Sequence, residues 1–355
     1  MELLYAEMPF SRVRIFWPGL VILGFGVGVI GGFFGIGGGW MVTPGLNILG
    51  FPMAFAIGTD LAHMAGKSLV STLRHARFGN VDFRLGVLMV AGTIVGFEAG
   101  AQTVMWLERT GRVDVIVRLA YLLLLGLVAW RLLRDVSGGR SDQAREGEGG
   151  SHSVASAALR PAGRRRVALR IPPVLRFPRA GVRCSAWCPL AVGLGTGWLS
   201  GLMGIGGGLI RVPALIYLLG CPTHVAVGTD LFEVAVSGLY GAATYAYKGR
   251  TELAAALIML IGASAGAQIG AVATKYARGY RIRSMLAVAV TGCGASVLLK
   301  LLAAVQPQAR RLLEGAATVL ILSLVSALAG SILRQFLRGV RQERAARSKR
   351  PVALL

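Results

Sequence analysis

No Asp, Glu, Lys or Arg occurs in residues 15–59, 184–210, 253–274 or 315–333. An apolar helix needs about 20 residues to cross a bilayer, so each of these runs is a candidate span. With 54% hydrophobic residues, 15% charged residues and a mean hydropathy of +0.63, the chain has too little polar surface for a water-soluble globule. The expectation is an all-α polytopic membrane protein. No Ala-x-Ala-like cleavage site precedes Ala54, and the first apolar run is far longer than a signal-peptide core, so no cleaved targeting segment is expected.

The formal net charge of +22 is unevenly distributed. Residues 134–183 hold eleven Arg against four acids, and residues 334–350 hold seven Lys or Arg against one acid, together +13 of the +22. Cytoplasmic loops of membrane proteins collect such charge, which favours contact with anionic lipid and a cytoplasmic location over nucleic-acid binding. Cys184, Cys188, Cys221 and Cys293 lack the spacing of a zinc site, and neither a metal nor another cofactor is expected.

The chain contains one unit twice. FFGIGGGWMVTPGL from Phe33 aligns with LMGIGGGLIRVPAL from Leu202, and Gly50-Phe51-Pro52 aligns with Gly220-Cys221-Pro222. Gly58-Thr59-Asp60-Leu61 matches Gly228-Thr229-Asp230-Leu231, and Gly92, Gly96 and Gly100 match Gly262, Gly266 and Gly270. This divides the chain into a first transmembrane repeat (1–134), a basic cytoplasmic linker (135–186), a second repeat (187–303), and a C-terminal helix with a basic cytoplasmic tail (304–355). The linker, rich in Gly, Ser, Pro and Arg, shows no apolar periodicity, reads as partly disordered and carries no expected chemistry.

Each repeat reads as a first helix (15–34; 187–203), a Gly-rich break, a short apolar element ending at Gly50 or Gly220, and three longer helices. Those are expected at 52–74, 85–107 and 113–133, and at 222–245, 253–275 and 282–302, with a last helix at 315–333. If linker and tail are both cytoplasmic, an even number of crossings separates them, which the short element supplies as a sixth. Five crossings per repeat would make the copies inverted, as in many secondary transporters; a re-entrant short element with an external tail is the alternative.

Gly35, Gly37, Gly38 and Gly39, with Gly204, Gly206, Gly207 and Gly208, lie inside apolar sequence, where irregular backbone is tolerated only if buried in protein or lining a cavity. Freed amides and helix N-termini there would cradle an anion. The competing reading, close helix packing, is the expectation for the Gly92 and Gly262 ladders. Thr59 and Thr229 join the glycines as candidate substrate ligands, and Asp60, His63 and Lys67 share one helical face, with Asp230 and Glu233 in the second copy. Intramembrane ionisable groups usually face a wet cavity or a partner, which marks these as candidate coupling residues; mutual neutralisation and helix capping are the alternatives. Lys67 offers a counter-charge in the first copy only, which would make Asp230 the more pH-responsive acid. Arg211 either grips an oxyanion bidentately or snorkels to the interface. For Glu98, helix pairing and a transport role both stand.

At these residues the chain resembles the TauE/SafE family, the sulfite exporter or toluene-sulfonate uptake permeases. The carriers of the resemblance are the duplicated Gly-x-Gly-Gly-Gly followed by proline, the Gly-x-Pro step and the Gly-Thr-Asp-Leu run, and they cover both halves without linker or tail. The resemblance implies secondary transport of sulfur oxyanions or sulfonates, commonly sulfite export, with proton coupling. A small anion and the lipid bilayer are thus the expected partners and the cytoplasmic membrane the expected location, with a homo-oligomer left open and no nucleic acid. A passive channel, and a membrane-embedded enzyme or regulatory protein, are the rival classes; no H-x-x-E-H, no Ser/His/Asp signature and no usable Cys pair supports an enzyme.

Overall fold

A computed structural model of the chain describes residues 5–34, 38–138, 172–273, 276 and 279–348. A short hairpin, β1 (Tyr5–Glu7) and β2 (Arg14–Phe16), precedes α1 (Trp17–Phe34), α2 (Gly39–Ile48), α3 (Met53–Arg77), α4 (Phe83–Arg109) and α5 (Val113–Gly138). The same series follows: hairpin β3 (Val174–Phe177) and β4 (Val182–Ser185), then α6 (Trp187–Met203), α7 (Gly208–Tyr217), α8 (Thr223–Tyr247), α9 (Leu253–Ala273) and α10 (Gly279–Val305). The last helix is α11 (Arg310–Ser348). Among the described residues, seven helices, α1, α4, α5, α8, α9, α10 and α11, are long and apolar enough to cross a membrane. The chain is therefore an all-α polytopic membrane protein.

α11 is 39 residues long, far beyond the expected 315–333, because the charge-free run marks only the stretch fitted to hydrocarbon. Arg, Gln, Glu and Ala are good helix formers, so the helix continues past it. Within the segment read from sequence as a partly disordered linker, residues 174–185 form the β3–β4 hairpin. Its alternation is too short, and its arginines too many, to register as a strand pattern.

The two copies interlock. α1 lies along α9 with Gly24, Gly28 and Gly32 against the backbone of Met259, Ala263 and Ala267, in rising order along both, so the helices run parallel. α4 and α6 repeat the arrangement, Gly92, Gly96 and Gly100 sitting against Leu190, Leu194 and Trp198. Hydrogen at Cα is all that fits there, and backbone-to-backbone approach through small residues replaces the hydrophobic drive that lipid does not supply. The equivalent helices α3 and α8 pack antiparallel, Gly238 against Ala65 and Gly241 against Leu61.

The Gly-Thr-Asp run explains itself in this packing. Gly58 lets α3 approach the carbonyl of Arg250, and Thr59 Oγ1 accepts a hydrogen bond from Glu252 N at 3.0 Å, just before α9. In the other copy Gly228 abuts the carbonyl of Asn80, and Thr229 Oγ1 accepts from Asp82 N at 3.0 Å, at the start of α4. The capping acids then reach the hairpins. Glu252 Oε2 accepts from Phe10 N and Ser11 N, both 3.0 Å, and Asp82 Oδ2 accepts from Arg179 N (3.1 Å) and Ala180 N (3.0 Å). Each hairpin turn, which leads into the first helix of its own repeat, is thus held by the carboxylate of the other repeat.

These bonds also fix the path of the short helices. The start of α3 shares an end of the bundle with the hairpin leading into α1, so α1 and α2 together go down and back; α2 runs antiparallel to α1, with Gly38 beside Val27 and Gly45 beside Leu23. By the same chain of bonds α6 and α7 return to the other end.

Candidate functional site

Each break ends in a left-handed glycine that turns the chain into the short helix. Gly38 (φ 82°) precedes α2 and Gly207 (φ 77°) precedes α7, with Gly204 and Gly206 also at positive φ, a region where only glycine rests without strain. Gly35 and Gly37 lie outside the described residues. The two breaks meet: a Cβ on Gly39 would stand 3.2 Å from the Ile205 carbonyl, and one on Gly204 would stand 2.7 Å from Thr43 Oγ1. Met64 of α3 packs beside both Gly39 and Gly206.

The ionisable residues gather around this junction. Asp60, His63, Arg211 and Glu233 are fully buried, and Lys67 and Asp230 are nearly so. In the first copy, Asp60 Oδ2 accepts from Thr43 Oγ1 at 2.8 Å, His63 Nδ1 lies 3.6 Å from Asp60 Oδ1, and the Lys67 charge acts on Asp60. In the second, the Arg211 guanidinium, one turn into α7, reaches Asp230 Oδ1 (3.2 Å), Glu233 Oε2 and Thr196 Oγ1 (3.1 Å). Arg211 does not snorkel. It also gives the second copy its own counter-charge, so the expectation that only Asp60 has one fails: the cation comes from α3 in one copy and from α7 in the other.

Thr59 and Thr229 spend their hydroxyls on the helix starts described above, at opposite ends of the bundle. Sequence reading missed Thr43, Thr196, Tyr121 and Tyr245. The last two donate to the carbonyls of Met203 (2.5 Å) and Gly201 (2.7 Å), which the end of α6 leaves without amide partners. A lone polar residue in an apolar helix was their only signal. Glu98 pairs with Lys248 (3.2 Å) and Gln102 (2.7 Å) on the outer flank of α4 and α8, away from the junction.

Several buried polar atoms at the junction have no hydrogen-bond partner in the described protein: Asp60 Oδ1, both ring nitrogens of His63, Arg211 Nη2 and both carboxylate oxygens of Glu233. An unsatisfied buried group costs about 1–3 kcal/mol, more when charged. These atoms gather where the two broken helices meet, at the positions the sequence marks as candidate substrate and coupling residues.

Two interlocked broken-helix units around a buried charged centre define a polytopic membrane transporter. A family model described as "Sulfite exporter TauE/SafE" matches residues 20–297, and the chain belongs to that family. It is 27% identical over 266 residues to the probable membrane transporter protein YunE of Bacillus subtilis (strain 168), covering 71% of this chain and 86% of that protein. It is 25% identical over 235 residues to the probable membrane transporter protein MJ0441 of Methanocaldococcus jannaschii, covering 64% and 72%. A probable membrane transporter protein of Xylella fastidiosa (strain 9a5c) is 26% identical over 251 residues, covering 70% and 80%. No solved structure matches significantly.

Proposed function

We propose that this protein is a secondary carrier, not an enzyme, that moves a small anion, a sulfur oxyanion or organosulfonate, across the cytoplasmic membrane with proton coupling. The observation that carries the reading is the fully buried Arg211 with a spare Nη2 at the meeting point of the two glycine breaks. A guanidinium presents paired donors that match oxyanion geometry, and the α2 and α7 N-termini add partial positive charge. Burial of Asp60, His63, Arg211 and Glu233 favours a carrier over a channel, because a channel keeps its pathway wet. Flux of sulfite, thiosulfate, sulfate and methanesulfonate into liposomes holding the purified protein tests it. Transport of none of them sinks the anion reading.

Charge counting supports the coupling. Asp60, Asp230 and Glu233 face Lys67 and Arg211, so the ionised centre carries one excess negative charge, and an entering anion would make two. A proton taken up with the anion relieves that cost. The excess acid sits in the second copy, Asp230 and Glu233 against Arg211 alone. Flux should therefore rise as the pH on the loading side falls, and Asp230→Asn should flatten that dependence more than Asp60→Asn does. An unchanged pH profile in Asp230→Asn would make this acid structural.

The antiparallel packing of α3 and α8 supports inverted copies, and the down-and-back paths of α1–α2 and α6–α7 leave four passes, α8 to α11, between the linker and the tail. Both basic segments are then cytoplasmic. Single cysteines at positions 151 and 348 should react with an impermeant maleimide from the same face; labelling from opposite faces refutes the topology.

A further inference from the structure

We infer that the Glu233 carboxylate is a tethered stand-in for the transported anion: it occupies the Arg211 guanidinium when substrate is absent, and substrate binds by displacing it. The inference rests on the anion-carrier reading above and assigns Glu233 a role in it.

Two carboxylates, Asp230 and Glu233, converge on one guanidinium nitrogen, Nη1, while Nη2 is left without a hydrogen bond. Glu233 in turn has no hydrogen bond on either oxygen, Oε2 meeting Nη1 only as an ion-pair contact. A buried ion pair kept for stability has its remaining donors and lone pairs satisfied, since desolvation otherwise outweighs the attraction. This pair is left incomplete on both partners. A free oxyanion across Nη1 and Nη2 would complete the guanidinium, with Nε already committed to Thr196 Oγ1 at 3.1 Å.

The duplication adds an independent argument. Arg211 aligns with Val42 and Glu233 with His63, so the guanidinium and its competing carboxylate are present together in one copy and absent together from the other. Asp230, by contrast, has Asp60 as its equivalent, and belongs to the shared framework. Among the described residues, the titratable and charged groups around the junction are Asp60, His63 and Lys67 on α3, Arg211 on α7, and Asp230 and Glu233 on α8. The ligand class follows from the stand-in: an anion with two oxygens at about carboxylate spacing, such as a sulfonate, sulfite or carboxylate, in preference to a halide.

The test is calorimetric titration of methanesulfonate, sulfite and chloride into the full-length protein in detergent. Glu233→Gln should bind the two oxyanions at least about tenfold more tightly than wild type, the size of one charge-assisted hydrogen bond regained, with chloride little changed. The Arg211→Gln/Glu233→Gln double variant should lose the gain. Glu233→Asp, which keeps the charge but shortens its reach, should show a smaller gain and decides the matter if Glu233→Gln does not fold. Equal or weaker oxyanion binding in the folded Glu233 variants, with wild-type binding intact, overturns the inference alone and makes Glu233 a positioning residue for Arg211. A gain that survives loss of Arg211 overturns it as a general charge effect. No oxyanion binding by folded wild type or variant overturns it together with the anion-carrier reading.

Discussion

Replacing Gly207 by leucine is expected to reduce anion flux to the background of empty liposomes, in protein that still inserts and elutes as a single species. At φ 77° any side chain strains the backbone, by about 1–2 kcal/mol for an L-residue in the left-handed region. The larger effect is local. A Cβ on Gly207 meets Nη2 of Arg211 and stands 2.8 Å from its Cζ, so the guanidinium has to shift from its place at the junction. Gly38→Leu should stop flux by another route, because its Cβ would stand 2.8 Å from Val27 Cγ1 and 3.1 Å from the Val27 carbonyl, prising α2 from α1. Flux per inserted molecule is the measurement. Wild-type flux in either variant would mean that the triple glycines only pack helices.

Gly96→Leu should have an equally large effect of a different kind, loss of the folded protein itself. Its Cβ would collide with the Leu194 carbonyl and stand 2.9 Å from Trp198 N, and backbone on both sides cannot yield. Overpacking a tight interface costs typically about 1–3 kcal/mol, and here the whole α4–α6 seam must open. Gly195→Leu is the control on the same helix pair, since a Cβ at Gly195 has no atom within 4 Å. Folded yield and thermal midpoint in detergent should drop sharply for Gly96→Leu and stay near wild type for Gly195→Leu. Matching midpoints for the two would show that the glycine ladder does not hold the copies together.

Much of this molecule was legible in its sequence. Charge-free runs of bilayer length dictate spanning helices because a charge in hydrocarbon costs about 2.5–3.5 kcal/mol even on insertion scales, and the internal alignment set out the repeats, the breaks and the acids within them. Local chemistry of that kind acts along the chain, and a single sequence displays it. What Thr59 and Thr229 do was not legible, because their partners, Glu252 and Asp82, lie far away in the other repeat. The β3–β4 hairpin was hidden for the same reason: what holds its turn is the Asp82 carboxylate from across the bundle, not a strand pattern of its own. The pairing of Arg211 with Asp230 and Glu233 likewise appears only once α7 folds back beside α8. Sequence decided which residues enter the membrane, since that is a transfer cost each segment bears alone. Tertiary structure decided which charges face one another there, since in a dry interior each buried group is settled by whatever partner the fold brings within reach.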